Sequence, residues 1–217
     1  MARPKVHDEA LRVRLLERAR AVLSSEGPAG LSLRTLARDC GTSTTAVYSL
    51  FGGKAGLLTA LFDDAFRTLG RQLSAVQPGA DSLDDIVRLG LAYRRSALSD
   101  PHVFGMMFAG ETLLPAAAEA RTAAGTALGP LREFVERAVQ NHALRPDTDP
   151  AAASLTLWAA VHGWVALQVR GFLPPGAEPS FETALRAVLD GWRPAAPRPG
   201  QTAPNRRSPA SPRPGTM

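Results

Sequence analysis

The stretch Leu31–Phe51 reads LSLRTLARDCGTSTTAVYSLF and holds two short helices around one glycine. Ser32 stands where an N-cap is wanted, and Leu33, Leu36 and Ala37 follow as an apolar stripe at helical spacing. Gly41 supplies the left-handed backbone of a tight helix–helix turn. Thr42 or Ser43 then caps a second helix whose inner face is Ala46, Val47 and Leu50. Its outer face is Thr44, Thr45, Tyr48 and Ser49, all hydrogen-bonding and none charged. Small hydroxyls on a short second helix suit base edges in a major groove, and an aromatic hydroxyl suits a phosphate. Lys54 adds a cation to the positive end of the next helix, which suits a phosphate oxygen. A plain helical hairpin would share the bare helix–Gly–helix pattern, so the surroundings decide between the two.

Those surroundings are basic. The 217 residues carry a formal net charge of +5, distributed as +4 over residues 1–54, −3 over 55–193 and +4 over 194–217. The last segment, PAAPRPGQTAPNRRSPASPRPGTM, has seven prolines and four arginines and buries too little apolar surface to fold, so its charge says little. The N-terminal excess is the informative one. One cysteine, Cys40, excludes an internal disulfide and a CxxC metal pair. The first twenty residues are too charged for a signal peptide, and a cytoplasmic protein is expected.

The whole chain reads as helical. It has a single isoleucine, Ile86, and no clean strand alternation, while prolines divide it into proline-free windows. A first helix is expected over about 8–25, with Leu11, Leu15, Ala19, Val22 and Leu23 on one face and a stop at Glu26-Gly27-Pro28. Helices follow over about 32–39, 43–50, 54–75 and 82–98, the last opened by a Ser82-x-x-Asp85 capping box. Asp100-Pro101 and Asp149-Pro150 each read as an N-cap followed by proline at the first helical position. Residues 116–143 are expected to be helical with a break at Gly129-Pro130, and the last helix spans about 180–193. The expectation is an all-α chain of about nine helices: a helix-turn-helix domain at 1–53, a larger helical bundle at 54–193 and a tail at 194–217.

At residues 11–62 the sequence resembles the TetR family of bacterial one-component transcriptional regulators. The resemblance rests on Glu26-Gly27 with Gly30-Leu31, on L-S-L-R-T-L-A, C-G-T-S and A-V-Y-S-L-F, and on G-K-x-x-L-L from Gly53. It implies a three-helix DNA-binding domain joined by the fourth helix to a ligand-binding, dimerising body. Carried over by position, the DNA contacts are Ser32, Arg34, Ser43, Thr44, Thr45, Tyr48, Ser49 and Lys54. Two positions depart from the family pattern: Gly53 stands where serine or asparagine is common, and Thr45 where glycine or another small residue is common. In the body, Trp158-Ala-Ala-Val-His162-Gly163 resembles the W-x-x-x-H-G motif of one class of TetR C-terminal domains.

The resemblance implies a homodimeric repressor that a small apolar effector releases from a palindromic operator on double-stranded DNA. The alternative is a helical small-molecule-binding protein without operator binding. Phe104, Met107, Phe108, Phe134 and Trp164 are the candidate ligand contacts, adaptable and apolar as a pocket wall requires. Arg94, Arg95 and Glu111 are charges within apolar helices; a solvated helix face accounts for them, and anchoring a polar ligand group is the alternative for one of them. The charge-free run Ala151–Val169 reaches membrane-spanning length, yet Ser154, Thr156, His162 and Gln168 interrupt it, and a core or dimer helix is expected rather than a membrane segment. Its small residues Ala159, Gly163 and Ala166, with Leu185, Val188, Leu189 and Trp192 from the last helix, form the expected dimer interface. His7, His102, His142 and His162 form no metal-binding pair, and no catalytic motif or cofactor fingerprint occurs. No enzyme activity, cofactor or metal is expected.

Overall fold

The structure is a computed structural model and describes residues 5–108, 125–126 and 128–194. Among these residues there are nine helices and no strand. They are α1 (Lys5–Gly30), α2 (Leu33–Asp39), α3 (Thr44–Phe51), α4 (Lys54–Ser74), α5 (Ser82–Ser99), α6 (Pro101–Met107), α7 (Gly129–Gln140), α8 (Pro150–Val169) and α9 (Ser180–Asp190). Glu111, the expected helical residues 116–124 and the tail from 195 onward lie outside the described residues.

The helix starts follow the capping chemistry. Asp100 accepts from the Val103 N–H and Asp149 from the Ala151 N–H, each followed by the expected proline. The start of α5 differs from the expected capping box. Asp81 caps it by accepting from the Leu83 and Asp84 N–H groups, because a carboxylate is the stronger acceptor. Asp85 is turned inward instead. Fully buried, it accepts from the Gly79 N–H at 2.9 Å and from Arg137 at 3.1 Å, and it pairs with Arg88. One carboxylate thereby ties α5, the loop before it and α7 together, and removing either arginine would leave a buried charge short of partners.

Leu15, Ala19, Val22 and Leu23 of α1 are buried as the stripe predicts. The regular helix breaks at Gly27 (φ 68°), one residue before Pro28. In the body α5 is central and packs on α4, α6, α7, α8 and α9. Gly90 leaves room for α9: a Cβ there would stand 2.6 Å from Leu185 Cδ2, so that side chain would have to shift, while Val161 Cγ2 at 3.5 Å would be in ordinary contact.

That packing occupies part of the expected dimer face within the single chain. Leu185 and Leu189 are 3% and 1% exposed within a single chain, and Phe181 is buried beside them. The stripe of α9 is spent on α5 and α8, leaving those leucines almost no surface for a partner. Val188 and Trp192 are half-buried against the same core. Val13 of α1 and Leu98 of α5 are exposed singly, whereas a group of uncovered apolar residues lies on α8 and just beyond it: Leu155 (61% exposed), Ala159, Ala160, Leu167 and Phe172 (72% exposed). Only Ala153, Leu157, Val161 and Val165 of α8 are buried. The helix is long and apolar enough to cross a bilayer, and here it lays one face on the core and leaves the other bare.

Candidate nucleic-acid interface and effector site

The recognition unit is held from behind. Arg18 donates two hydrogen bonds to Asp39, at 2.8 and 3.0 Å, joining α1 to the end of α2. That bond holds the Asp39 carboxyl below the usual carboxylate range, with burial opposing it. The Arg12 guanidinium lies 4.9 Å from the Phe51 ring centre, a cation–π contact between α1 and the end of α3. Behind α3, Val47 and Phe51 are buried. In front, Thr44, Thr45, Tyr48 and Ser49 are exposed together, Tyr48 at 57%.

Three of the expected DNA contacts have structural duties as well. Ser32 Oγ accepts from the Thr35 N–H, and Ser43 Oγ accepts from the Ala46 N–H at 3.2 Å. Both hydroxyls keep a proton for a phosphate while capping their helices. Lys54 Nζ donates to the Pro28 carbonyl at 3.3 Å, so the lysine ties α4 to the last turn of α1. Arg34 is exposed beside them. Gly53 has no side chain to cap α4, and its φ of 121° is one that other residues rarely adopt. Three residues further on, Gly56 sets the spacing between α3 and α4: a Cβ there would lie 1.7 Å from the Phe51 carbonyl oxygen. Cys40 sits in the turn, its thiol pKa raised mainly by burial, which suits packing better than redox chemistry.

Two clefts open in the body, on either side of Tyr93. The first, about 340 Å³ counted to its open mouth, is walled by α4, α5, α7, α8 and α9 and is almost wholly apolar. Ile86, Leu89, Leu131, Leu157 and Val161 line it, with Tyr93 and Trp158 as its polar side chains. The second, about 390 Å³, lies between α1, α4, α5 and α6 and is lined by Arg20, Gln72, Asp100, Phe104 and Met107 among others. None of the five expected ligand residues lines the apolar cleft. Phe104 and Met107 line the second cleft, Phe108 packs tilted against His162 and edge-on to Phe66, Phe134 is core, and Trp164 packs edge-on to Phe181. Arg94 donates to Gln168 and lies over Phe181, while Arg95 is exposed.

The W-x-x-x-H-G residues meet Tyr93 here. Tyr93 Oη and His162 Nδ1 are 2.9 Å apart, and Phe104, Phe108 and Trp158 surround the imidazole with ring centres 4.3–5.9 Å away. Burial, and then Arg170, pull the His162 pKa below its ordinary value. Burial also raises the Tyr93 phenol, and the hydrogen-bonding approach of the Trp158 indole to its hydroxyl pulls the other way. Both groups are therefore neutral near pH 7. Trp158 Nε1 is buried and, among the described residues, meets no partner at hydrogen-bond geometry. Sequence reasoning missed Tyr93 as a site residue; its signal was a lone phenol on the stripe of Ile86, Leu89 and Gly90.

The two units are joined at α6. Asp100, its N-cap, also accepts from Ser24 Oγ at 2.6 Å and lies 3.7 Å from Arg20, both on α1. Arg20 reaches Asp64 of α4 as well, at 3.6 Å. His102 Nδ1 pairs with the Ser24 carbonyl; a carbonyl only accepts, so that nitrogen carries the proton.

A supported short helix with an uncharged hydroxyl face, set on an apolar body with a cleft, is the pattern two family models describe. Residues 15–61 match the model for bacterial regulatory proteins of the tetR family, and residues 86–188 match the tetracyclin repressor-like C-terminal domain. The chain belongs to the TetR family. The HTH-type transcriptional regulator Rv1816 of Mycobacterium tuberculosis is 28% identical, over 75% of this chain and 82% of its own length. A protein of unknown function from Rhodococcus sp. RHA1 superposes with a TM-score of 0.75 at 27% identity, covering 85% of this chain and 96% of that one. The TetR-family regulator PfmR from Thermus thermophilus shares the fold, with a TM-score of 0.61 at 24% identity over 82% of this chain and 97% of its own. This TetR-family chain is thus a transcriptional regulator with a DNA-binding helix-turn-helix, in a family of regulators rather than enzymes.

Proposed function

We propose that the protein is a homodimeric repressor, working in the cytoplasm on a palindromic operator and released from it by a small apolar effector. The observation that carries the reading is the outer face of α3. Thr44, Thr45, Tyr48 and Ser49 are exposed together on a helix whose other side is locked into the domain. A face with no duty toward nucleic acid has no reason to remain free of both acids and large aliphatic groups. Ser32, Arg34, Ser43 and Lys54 flank it as phosphate partners, which would set the register of the helix in the groove.

Dimerisation is supported by the bare side of α8, where Leu155, Ala159, Ala160 and Leu167 leave an apolar surface with small residues for close packing. Gly163 and Ala166 extend it, and no atom lies within 4 Å of where a Gly163 Cβ would stand. Two copies would present their α3 helices about one DNA turn apart, ~34–36 Å. The effector enters the apolar cleft, pushes on Tyr93 and α5, and moves α6. Asp100 carries that movement to Ser24 and Arg20 of α1. A typical coupling of this kind is worth ~1–3 kcal/mol.

Hydroxyl-radical footprinting of the region upstream of the coding sequence tests the reading. It should show two protected half-sites whose centres are ~10–10.5 base pairs apart or a multiple of that. A single half-site would refute the dimeric operator.

A further inference from the structure

We propose that the effector is a neutral, largely apolar molecule bearing one hydrogen-bond acceptor, and that Trp158 Nε1–H is the donor that receives it. The proposal rests on the reading of the apolar cleft as the effector site. Among the described residues no charged side chain lines that cleft, so an ionic group carried into it would be stripped of water with no counter-charge from them. That environment selects an uncharged ligand.

The polar side chains of the cleft narrow the choice further. Tyr93 is already engaged, its hydroxyl 2.9 Å from His162 Nδ1. Trp158 differs: its indole N–H is buried, lies near the Tyr93 hydroxyl, meets no acceptor at hydrogen-bond geometry among the described residues, and is carried by a residue of the cleft wall. Buried donors are almost always satisfied, and an orphan of this kind calls for a reason. Trp164 Nε1 is also unpartnered but lines neither cleft, so the pairing of orphan and cavity belongs to Trp158 alone of the two. An indole can only donate. The missing group is an acceptor: a ketone, ester, ether or amide carbonyl on an apolar frame.

The test compares ketones with shape-matched alkenes on the ¹⁵N-labelled full-length protein. Benzophenone is set against 1,1-diphenylethylene, acetophenone against α-methylstyrene, and 4-benzoylbenzoate supplies the anion. Two reporters are built into the sequence. The chain has one isoleucine, so the Ile86 methyl signal reports on the cleft without ambiguity, and only three indole N–H signals need assignment.

Each ketone should bind ~3–10-fold more tightly than its alkene, the share of one net neutral hydrogen bond. It should also move the Trp158 indole proton downfield, and Trp158→Phe should abolish the preference. The wild-type indole shift decides the matter even if that variant fails to fold. If ketone and alkene move Ile86 equally and the indole stays still, the donor assignment falls while the cleft stands as an effector site. If the anion binds as well as benzophenone, neutrality is wrong. If no probe moves Ile86, the cleft is not the effector site and both readings fall together.

Discussion

Replacing Gly56 by alanine sets helix propensity directly against packing. Gly56 lies in the first turn of α4, where alanine is normally worth ~0.8–1.0 kcal/mol over glycine. Here the new Cβ would stand 1.7 Å from the Phe51 carbonyl oxygen and 2.9 Å from the Phe51 carbonyl carbon. Real Cβ atoms are essentially never nearer than 3.0 Å to a neighbour, so the two must part by about 1.3 Å. Neither atom is the end of a flexible side chain, and the strain passes to the α3–α4 junction. Overpacking of this sort costs ~1–3 kcal/mol, which outweighs the propensity gain. The urea midpoint should fall, and α3 should sit displaced on its support. Losing one well-placed base contact costs ~1–3 kcal/mol, so operator affinity should drop about tenfold or more, while non-specific binding through phosphates holds. Chemical denaturation and fluorescence anisotropy on the same preparation separate the two effects. A Gly56→Ala protein at least as stable as wild type, with unchanged operator affinity, would refute the packing argument.

Gly53→Ser restores a capping side chain but forces a non-glycine residue to φ 121°, with its Cβ 3.3 Å from Tyr48 Cε1. Strain of ~1–3 kcal/mol exceeds the capping gain, so Tm should fall; a rise would mean that the turn relaxes freely. The His162 pKa is lowered from an ordinary 6.5, so the unfolded chain takes up that proton first. Stability is full above about pH 6.5 and declines as pH falls below it, and His162→Gln should remove that slope from denaturation profiles between roughly pH 7 and 5. If the His162→Gln variant keeps the wild-type profile, the imidazole is not the titrating group. Leu155→Glu or Gly163→Asp should give monomers in light scattering with weakened duplex binding, since each places a charge on the bare side of α8; a stable dimer would move the interface elsewhere.

The helix-turn-helix was legible because its signals are local. Ser32, Gly41 and Ser43 act within a few residues of themselves, and the caps at Asp100 and Asp149 do so too. The body was less so. Phe181, Leu185 and Leu189 form an apolar stripe that fits an intrachain core and a dimer interface equally well, and only the packing of α5 around Gly90 decides for the core. Phe134 and Trp164 are apolar like any pocket wall, whereas the walls of the cleft come from five helices far apart in sequence. Tyr93 and Trp158 are 65 positions apart, and no spacing rule joins them. The outward turn of Leu155 was equally hidden, because α8 is apolar on every side and has no periodicity to read.

The central claim is that the exposed hydroxyl face of α3 reads DNA. Its most direct test is salt-titrated fluorescence anisotropy of the wild type and Thr45→Glu on upstream and scrambled duplexes. Wild type should prefer the upstream duplex by the ~10³–10⁷ typical of specific over non-specific binding, with affinity falling steeply in salt. Thr45→Glu should lose that preference while its unfolding curve stays unchanged. Equal preference in both proteins, or no duplex binding by the wild type even at low salt, would contradict the account.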